Sequence, residues 1–190
     1  MMRTGVTAAL IALTLAASSE ARVPDAAAGF PAAEPWVSVT LDADGESARI
    51  RAGVDIPAAP DRVWATMTDC AATRRMIKSL VECRITRSGD GWDIREHLTR
   101  GGPLWPSFHY VFRSDYEVGR RIRFRKLEGN LKTFEGEWGL APRNGGRSTR
   151  VTYETRVSAA IFAPAILIRA GLRRDTPKVL EIMRRLVTEG

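Results

Sequence analysis

Gly53-Val54-Asp55-Ile56-Pro57-Ala58-Ala59-Pro60-Asp61-Arg62-Val63-Trp64-Ala65-Thr66-Met67 joins two periodicities with almost no loop between them. Upstream, Ile50, Ala52, Val54 and Ile56 alternate as one face of a β-strand requires. Pro57 and Pro60 punctuate a turn, and an amphipathic helix opens at Ala59 or Pro60, since proline suits the first helical turn. A strand over 47–56 therefore feeds a helix over 60–68, and a second short helix over 71–78 follows.

Downstream, strands are expected at about 80–88, 91–99, 107–115, 119–127, 131–140 and 147–158. Turn signals separate them at Gly89-Asp90-Gly91, Gly101-Gly102-Pro103, Gly129-Asn130 and Asn144-Gly145-Gly146. Trp36 to Leu41 adds an edge strand, and Ile161 to Val187 reads as a long closing helix. Pro177 removes a backbone donor from the middle of that helix, and Thr176 with Pro177 also reads as a fresh N-cap and first turn. A kink or break is expected there. The fold class is α+β: a curved antiparallel sheet of six or seven strands wrapped around the C-terminal helix.

This order of elements, with Val54-Asp-Ile-Pro57 and Phe134-Glu-Gly-Glu-Trp138, resembles the START-like, helix-grip superfamily over about residues 47–188. The likeness is greatest to its polyketide cyclase and coenzyme Q-binding branch. No invariant catalytic motif defines that superfamily, so the resemblance constrains fold more than chemistry. It implies that part of the concave sheet lines a cavity for an apolar ligand, with quinones as the first candidates.

The chain opens on Arg3 and a short apolar run from Val6 to Ala17, too short for the about 20 residues that span a bilayer. Ser19 and Ala21 place small residues where a signal peptidase reads, so residues 1–21 read as a cleaved signal peptide. The expected location is secreted or periplasmic; an uncleaved anchor is the alternative. Residues 22–46 read as a flexible lead rich in Ala, Gly and Pro, and 47–190 as one domain. The net charge of +7 would suggest nucleic acid inside a cell, but for an exported chain it points to anionic membrane surfaces, or simply to a solvated basic face. Cys70 and Cys83 are the only cysteines. In an oxidising compartment they form a disulfide candidate worth about 3 kcal/mol, although Cys83 alternates with Val81 and Ile85 and equally suits an apolar strand face.

The sequence holds no Gly-x-Ser-x-Gly elbow, no phosphate-binding Gly-x-x-x-x-Gly-Lys and no dinucleotide fingerprint. His97 and His109 make no metal-ligand spacing with either cysteine, so no metal and no cofactor are expected. Folding the hairpin of strands 91–99 and 107–115 about Pro103 sets Ile94 opposite Phe112, Glu96 opposite Tyr110 and Leu98 opposite Phe108, on one inward face with Trp92. Asp93, Arg113, His97 and His109 then face solvent. In that register Glu96 is an inward carboxylate beside a phenol, and with Tyr110 it is the candidate acid, base or head-group anchor. Alternatively, Glu96 is half solvated or locked by a neighbouring arginine. Phe124, Phe134, Trp138 and Tyr153 complete the candidate ligand wall, with Ile122, Leu140, Val151 and Val157 beside them. Leu104 and Trp105 sit at a loop tip, either as a lid or membrane-touching finger or folded back over the core, and Arg121, Arg123 and Arg125 alternate on an outer strand face.

The function expected from these features is an exported, non-catalytic carrier of a hydrophobic, lipid-like molecule. One alternative is a polyketide cyclase or dehydratase using Glu96, Tyr110 and Tyr153; another is an envelope interaction module with a filled core. A carrier needs an apolar cavity, whereas an enzyme needs at least two titratable groups converging within it.

Overall fold

The computed structural model describes residues 34–43, 47–102, 106–159 and 165–189. The strand expected at the quoted junction is β2 (Ser47–Ile56), with β1 (Trp36–Leu41) antiparallel along its outer edge. Ile50, Ala52, Val54 and Ile56 are all buried, as their alternation required. After Pro57 the chain enters α1 (Pro60–Thr68), which buries Val63 and Met67. Asp69 then caps α2 (Cys70–Met76), its carboxylate accepting from the amides of Ala71 at 3.2 Å and Ala72 at 2.9 Å. This pair of short helices carries the chain from one end of the sheet to the other.

There follow β3 (Leu80–Gly89), β4 (Trp92–Thr99), β5 (His109–Glu117), β6 (Arg121–Gly129), β7 (Leu131–Arg143) and β8 (Ser148–Ala159). All pair antiparallel in a single curved, open sheet of order β1-β2-β8-β7-β6-β5-β4-β3. The sheet has eight strands, rather than the six or seven expected, because Trp36–Leu41 and β3 both take full edge positions. Gly136, within the Phe134 to Trp138 motif, admits the close approach of β8: a Cβ there would collide with the Glu154 carbonyl.

The last element, α3 (Ala165–Glu189), packs against β1, β2 and both short helices. Of the kink or break expected at Pro177, the break does not occur: the helix runs on through it, and Thr176 is an interior residue rather than its cap. Packing explains the continuity: Leu180, Met183 and Val187 are fully buried in the main core with Val54, Ile56 and Val63. Burying three such side chains contributes about 5 kcal/mol, more than the roughly 3 kcal/mol that an interior proline costs. A disulfide joins Cys70 to Cys83, tying α2 to β3 with a Cα separation of 5.4 Å.

One register differs from the sequence reading. β4 and β5 pair Ile94 with Arg113, Arg95 with Phe112, Glu96 with Val111, His97 with Tyr110 and Leu98 with His109, a slip of one residue from the expected pairing. Because side chains alternate with period two, that slip turns the whole of β4 over. Trp92, Ile94, Glu96 and Leu98 lie on the outer face, and Asp93, Arg95 and His97 are buried on the inner one at 4–5% exposure. The cause is the connection, which closes with Thr99 N–H donating to the Phe108 carbonyl at 2.8 Å. The segment 100–107 has an even number of residues and so no central residue about which the strands could mirror.

Candidate functional site

Between the concave sheet and the helices lies a cavity of about 190 Å³. Its floor is aromatic: Tyr110 and Phe112 from β5, Phe124 from β6, Phe134 and Trp138 from β7 and Tyr153 from β8. These rings pack on one another, Trp138 stacking on Tyr153 at 4.1 Å between centroids and Phe124 lying 4.7 Å from Phe134. Met67, Met76, Val179 and Met183 from the three helices, with Ile77 just past the end of α2, form the roof. Six of the residues expected on the ligand wall thus converge on one space, and each comes from a strand whose alternation is clean. Phe108 packs against the same aromatic cluster.

Ile94, Glu96 and Leu98 do not join them, because of the inverted β4. Glu96 instead accepts from His109 Nε2 at 2.7 Å and from Arg84 Nη2 at 2.9 Å on the outer face. The His109 bond, aided by Arg84 and opposed by partial desolvation, holds its carboxyl below the ordinary value rather than above it. The arginine-locked alternative is the one realised, and Glu96 is not placed to act in the cavity. Leu104 and Trp105 lie outside the described residues. Arg121 and Arg123 are on the outer face as expected, where both pair with Glu117 and Glu137.

In place of Glu96, the inner face of β4 brings a polar cluster to the cavity. Arg95 Nε donates to both oxygens of Asp93 at 3.1 and 2.9 Å, and its Nη2 donates to the Tyr116 hydroxyl at 2.9 Å and the Thr68 carbonyl at 2.7 Å. Tyr116 in turn donates to Asp93 Oδ2 at 2.5 Å. Burial opposes the charge on Arg95, but the bonds to Asp93 and Tyr116 outweigh it and raise its pKa. Burial first, then the bond to Asp93, pushes the Tyr116 phenol up to about 12. A charged pair removed from water is costly unless its bonds are satisfied, and here they are.

His97 stands next to this pair. Its Nδ1 is 3.2 Å from the Tyr110 hydroxyl, and its ring meets Phe112 edge-on at 4.8 Å. Nε2 is buried and has no hydrogen-bond partner. Burial first, then the Arg95 cation, pushes the imidazole down to about 4, with Asp93 opposing, so it is uncharged at neutral pH. Burial likewise raises Tyr110, and raises Tyr153 to about 12, so both phenols stay protonated. Ser114, also buried, completes the polar end. Asp93, Arg95, His97, Ser114 and Tyr116 were absent from the sequence-derived wall. For the three on β4 the signal was the Asp-x-Arg-x-His alternation on one strand face, with Asp93 and Arg95 satisfying each other, which the more hydrophobic opposite face overshadowed.

The fold and an aromatic cavity beneath a long helix define a START-like domain. The profile of the polyketide cyclase/dehydrase and lipid transport family matches residues 56–184, and the chain belongs to that family. A comparison with curated proteins finds no match. Among solved structures, human STARD10 superposes with a TM-score of 0.69 at 12% identity, over 84% of this chain and 71% of that one. The STAR-related lipid transfer protein of Xanthomonas axonopodis gives 0.63 at 20% identity, over 80% and 98%. The Zhui aromatase/cyclase of Streptomyces sp. R1128 gives 0.63 at 15% identity, over 74% and 93%. At these identities the likeness concerns the fold.

Proposed function

We propose that this protein is an exported carrier that holds a hydrophobic, lipid-like small molecule between its sheet and α3. The observation that carries the reading is the cavity itself, walled by aromatic side chains and roofed by aliphatic and methionine side chains. A domain of this size fills its core by default, so a space lined this way is a ligand site first. Export is supported by the leader over residues 1–21 and by the Cys70–Cys83 bridge, which suits an oxidising compartment. The lipid transfer proteins among its structural neighbours agree in kind.

Organic extraction of gently purified protein followed by mass spectrometry tests the reading. A stoichiometric apolar compound is the expected result; an empty extract, together with no uptake of added isoprenoid or acyl probes, overturns it. Intact mass of the protein recovered from the envelope should begin at Arg22, and finding Met1 retained in the cytoplasm refutes export.

A second reading, a cyclase or dehydratase, is favoured by one observation: a neutral imidazole and a protonated phenol 3.2 Å apart line the cavity beside a guanidinium. These groups meet the requirement for converging acid and base that Glu96 does not meet. Recovery of the compound chemically unchanged after prolonged incubation separates carrier from enzyme.

A further inference from the structure

A buried nitrogen without a partner costs free energy that native proteins ordinarily avoid, so the orphaned Nε2 of His97 calls for a cause. His97 lines the cavity and is only 5% exposed. We propose that His97 Nε2 is the anchoring donor for an uncharged, ring-sized ligand group bearing a carbonyl-type oxygen. The inference rests on the cavity being a ligand site and names the chemistry it selects.

The protonation state follows from the Tyr110 contact. If the Tyr110 hydroxyl donates to Nδ1, the imidazole proton resides on Nε2 and only that N–H is left unmet. If Nδ1 donates instead, both the Tyr110 proton and the Nε2 lone pair are left without partners in a dry site. The first arrangement leaves fewer groups unsatisfied, so Nε2 presents a hydrogen and calls for an acceptor.

Charge narrows the acceptor to a neutral one. Among the described residues Arg95 is the only cation lining the cavity, and its Nε and Nη2 are already held by Asp93, Tyr116 and Thr68. Asp93 cancels its charge at close range, so a ligand carboxylate would lose its hydration without gaining a counter-ion. A carbonyl oxygen carries no such penalty.

Volume narrows it further. A dry cavity of about 150 Å³ is known to accept benzene, so about 190 Å³ accommodates one ring with a small substituent and not a whole long-chain lipid. The rings of Phe112 and Tyr110 that meet His97 edge-on, with Phe134 packed edge-on against both, suit a planar group. Any longer tail must lie beyond this space.

Acetophenone, α-methylstyrene and benzoate test this, because they share a phenyl ring and nearly one outline while presenting a carbonyl, a methylene and a carboxylate. Titration calorimetry on the disulfide-intact mature protein should find acetophenone bound at least tenfold more tightly than either of the others, one satisfied buried donor being worth about that factor. The His97 Nε2 proton should sharpen and shift downfield in NMR spectra as acetophenone is added. In His97→Phe the preference should disappear while α-methylstyrene still binds. Equal binding of acetophenone and α-methylstyrene to the wild-type protein, or preference for benzoate, overturns the inference and leaves the carrier reading standing. Failure of all three probes to bind also overturns the inference, and the extraction and lipid-uptake experiment then decides the carrier reading on its own. The wild-type series and the NMR signal need no variant, so a poorly folded His97→Phe does not decide the matter.

Discussion

Acidification should destabilise this protein in a window set by His97. Buried beside Arg95, its imidazole has a pKa of about 4, whereas in the unfolded chain it returns to 6.5. Between those values the unfolded state binds a proton that the folded state refuses. The unfolded state therefore gains as pH falls, and stability rises with pH across the window. At about 1.4 kcal/mol per pH unit the whole interval corresponds to about 3 kcal/mol, roughly three quarters of it spent by pH 4.5. For a domain of this size the full loss lowers the melting temperature by about 10 °C. Urea unfolding followed by tryptophan fluorescence at pH 7 and pH 4.5, on the wild type and on His97→Gln, measures it. The glutamine keeps much of the shape and cannot titrate, so the variant should lose about 2 to 3 kcal/mol less over the same interval. Glu96 and Asp175, whose carboxyls lie below their ordinary values through His109 and Arg174 respectively, also lose support in acid, but do so in both proteins and cancel. Equal losses in wild type and variant would refute the reasoning, showing that His97 is solvated or already paired.

Three further outcomes are expected. Arg95→Met leaves Asp93 buried without its counter-ion and should cost about 3 to 5 kcal/mol in urea unfolding, whereas Asp93→Leu with Arg95→Met should recover much of that loss; additive losses would count against the pair as drawn. Glu96→Gln should leave bound apolar ligand and melting temperature unchanged, since the carboxylate faces outward; loss of ligand in an extraction assay would place it in the cavity after all. Cys70→Ser with Cys83→Ser should lower stability by about 3 kcal/mol, matched by adding reductant to the wild type, and insensitivity to both would mean the bridge does not form in solution.

Much of the sheet was legible because β2, β5, β6, β7 and β8 each alternate apolar with polar residues, and their inner positions became core or cavity wall. β4 was not, for two physical reasons. Its inward residues are Asp93, Arg95 and His97: Asp93 and Arg95 are tolerated there because they satisfy each other and Tyr116, and His97 meets the Tyr110 hydroxyl, through bonds that no single-strand pattern displays. Its outward residues include Trp92 and Ile94, and the Arg113 guanidinium lies over the Trp92 ring at 4.5 Å, so an apolar stripe marked the solvent side. With the connection misjudged by one residue, Glu96 was drawn inward and His97 outward. At Pro177 the helix continues rather than breaking, since local helix propensity yields to the burial of Leu180, Met183 and Val187. The expected inward faces of β5 to β8 contributed Tyr110, Phe112, Phe124, Phe134, Trp138 and Tyr153, and the site lacked the members that β4 and the helices supply, with Ser114 and Tyr116 from β5.

The corner between α1 and α2 carries three ties of different chemistry on successive residues. The Thr68 carbonyl holds Arg95, the Asp69 carboxylate caps α2, and Cys70 is bonded to β3. Each tie specifies a distance along the chain as well as a residue type. One residue added after Asp69 would draw its carboxylate away from the amides of Ala71 and Ala72. Added after Cys70, it would turn the rest of α2 by about 100° relative to the cysteine and carry Thr73 and Met76 off the cavity. This corner is thus a ruler as well as a joint, and loop-length variation that surface turns elsewhere absorb would here detach the cap, the covalent link or the roof of the cavity.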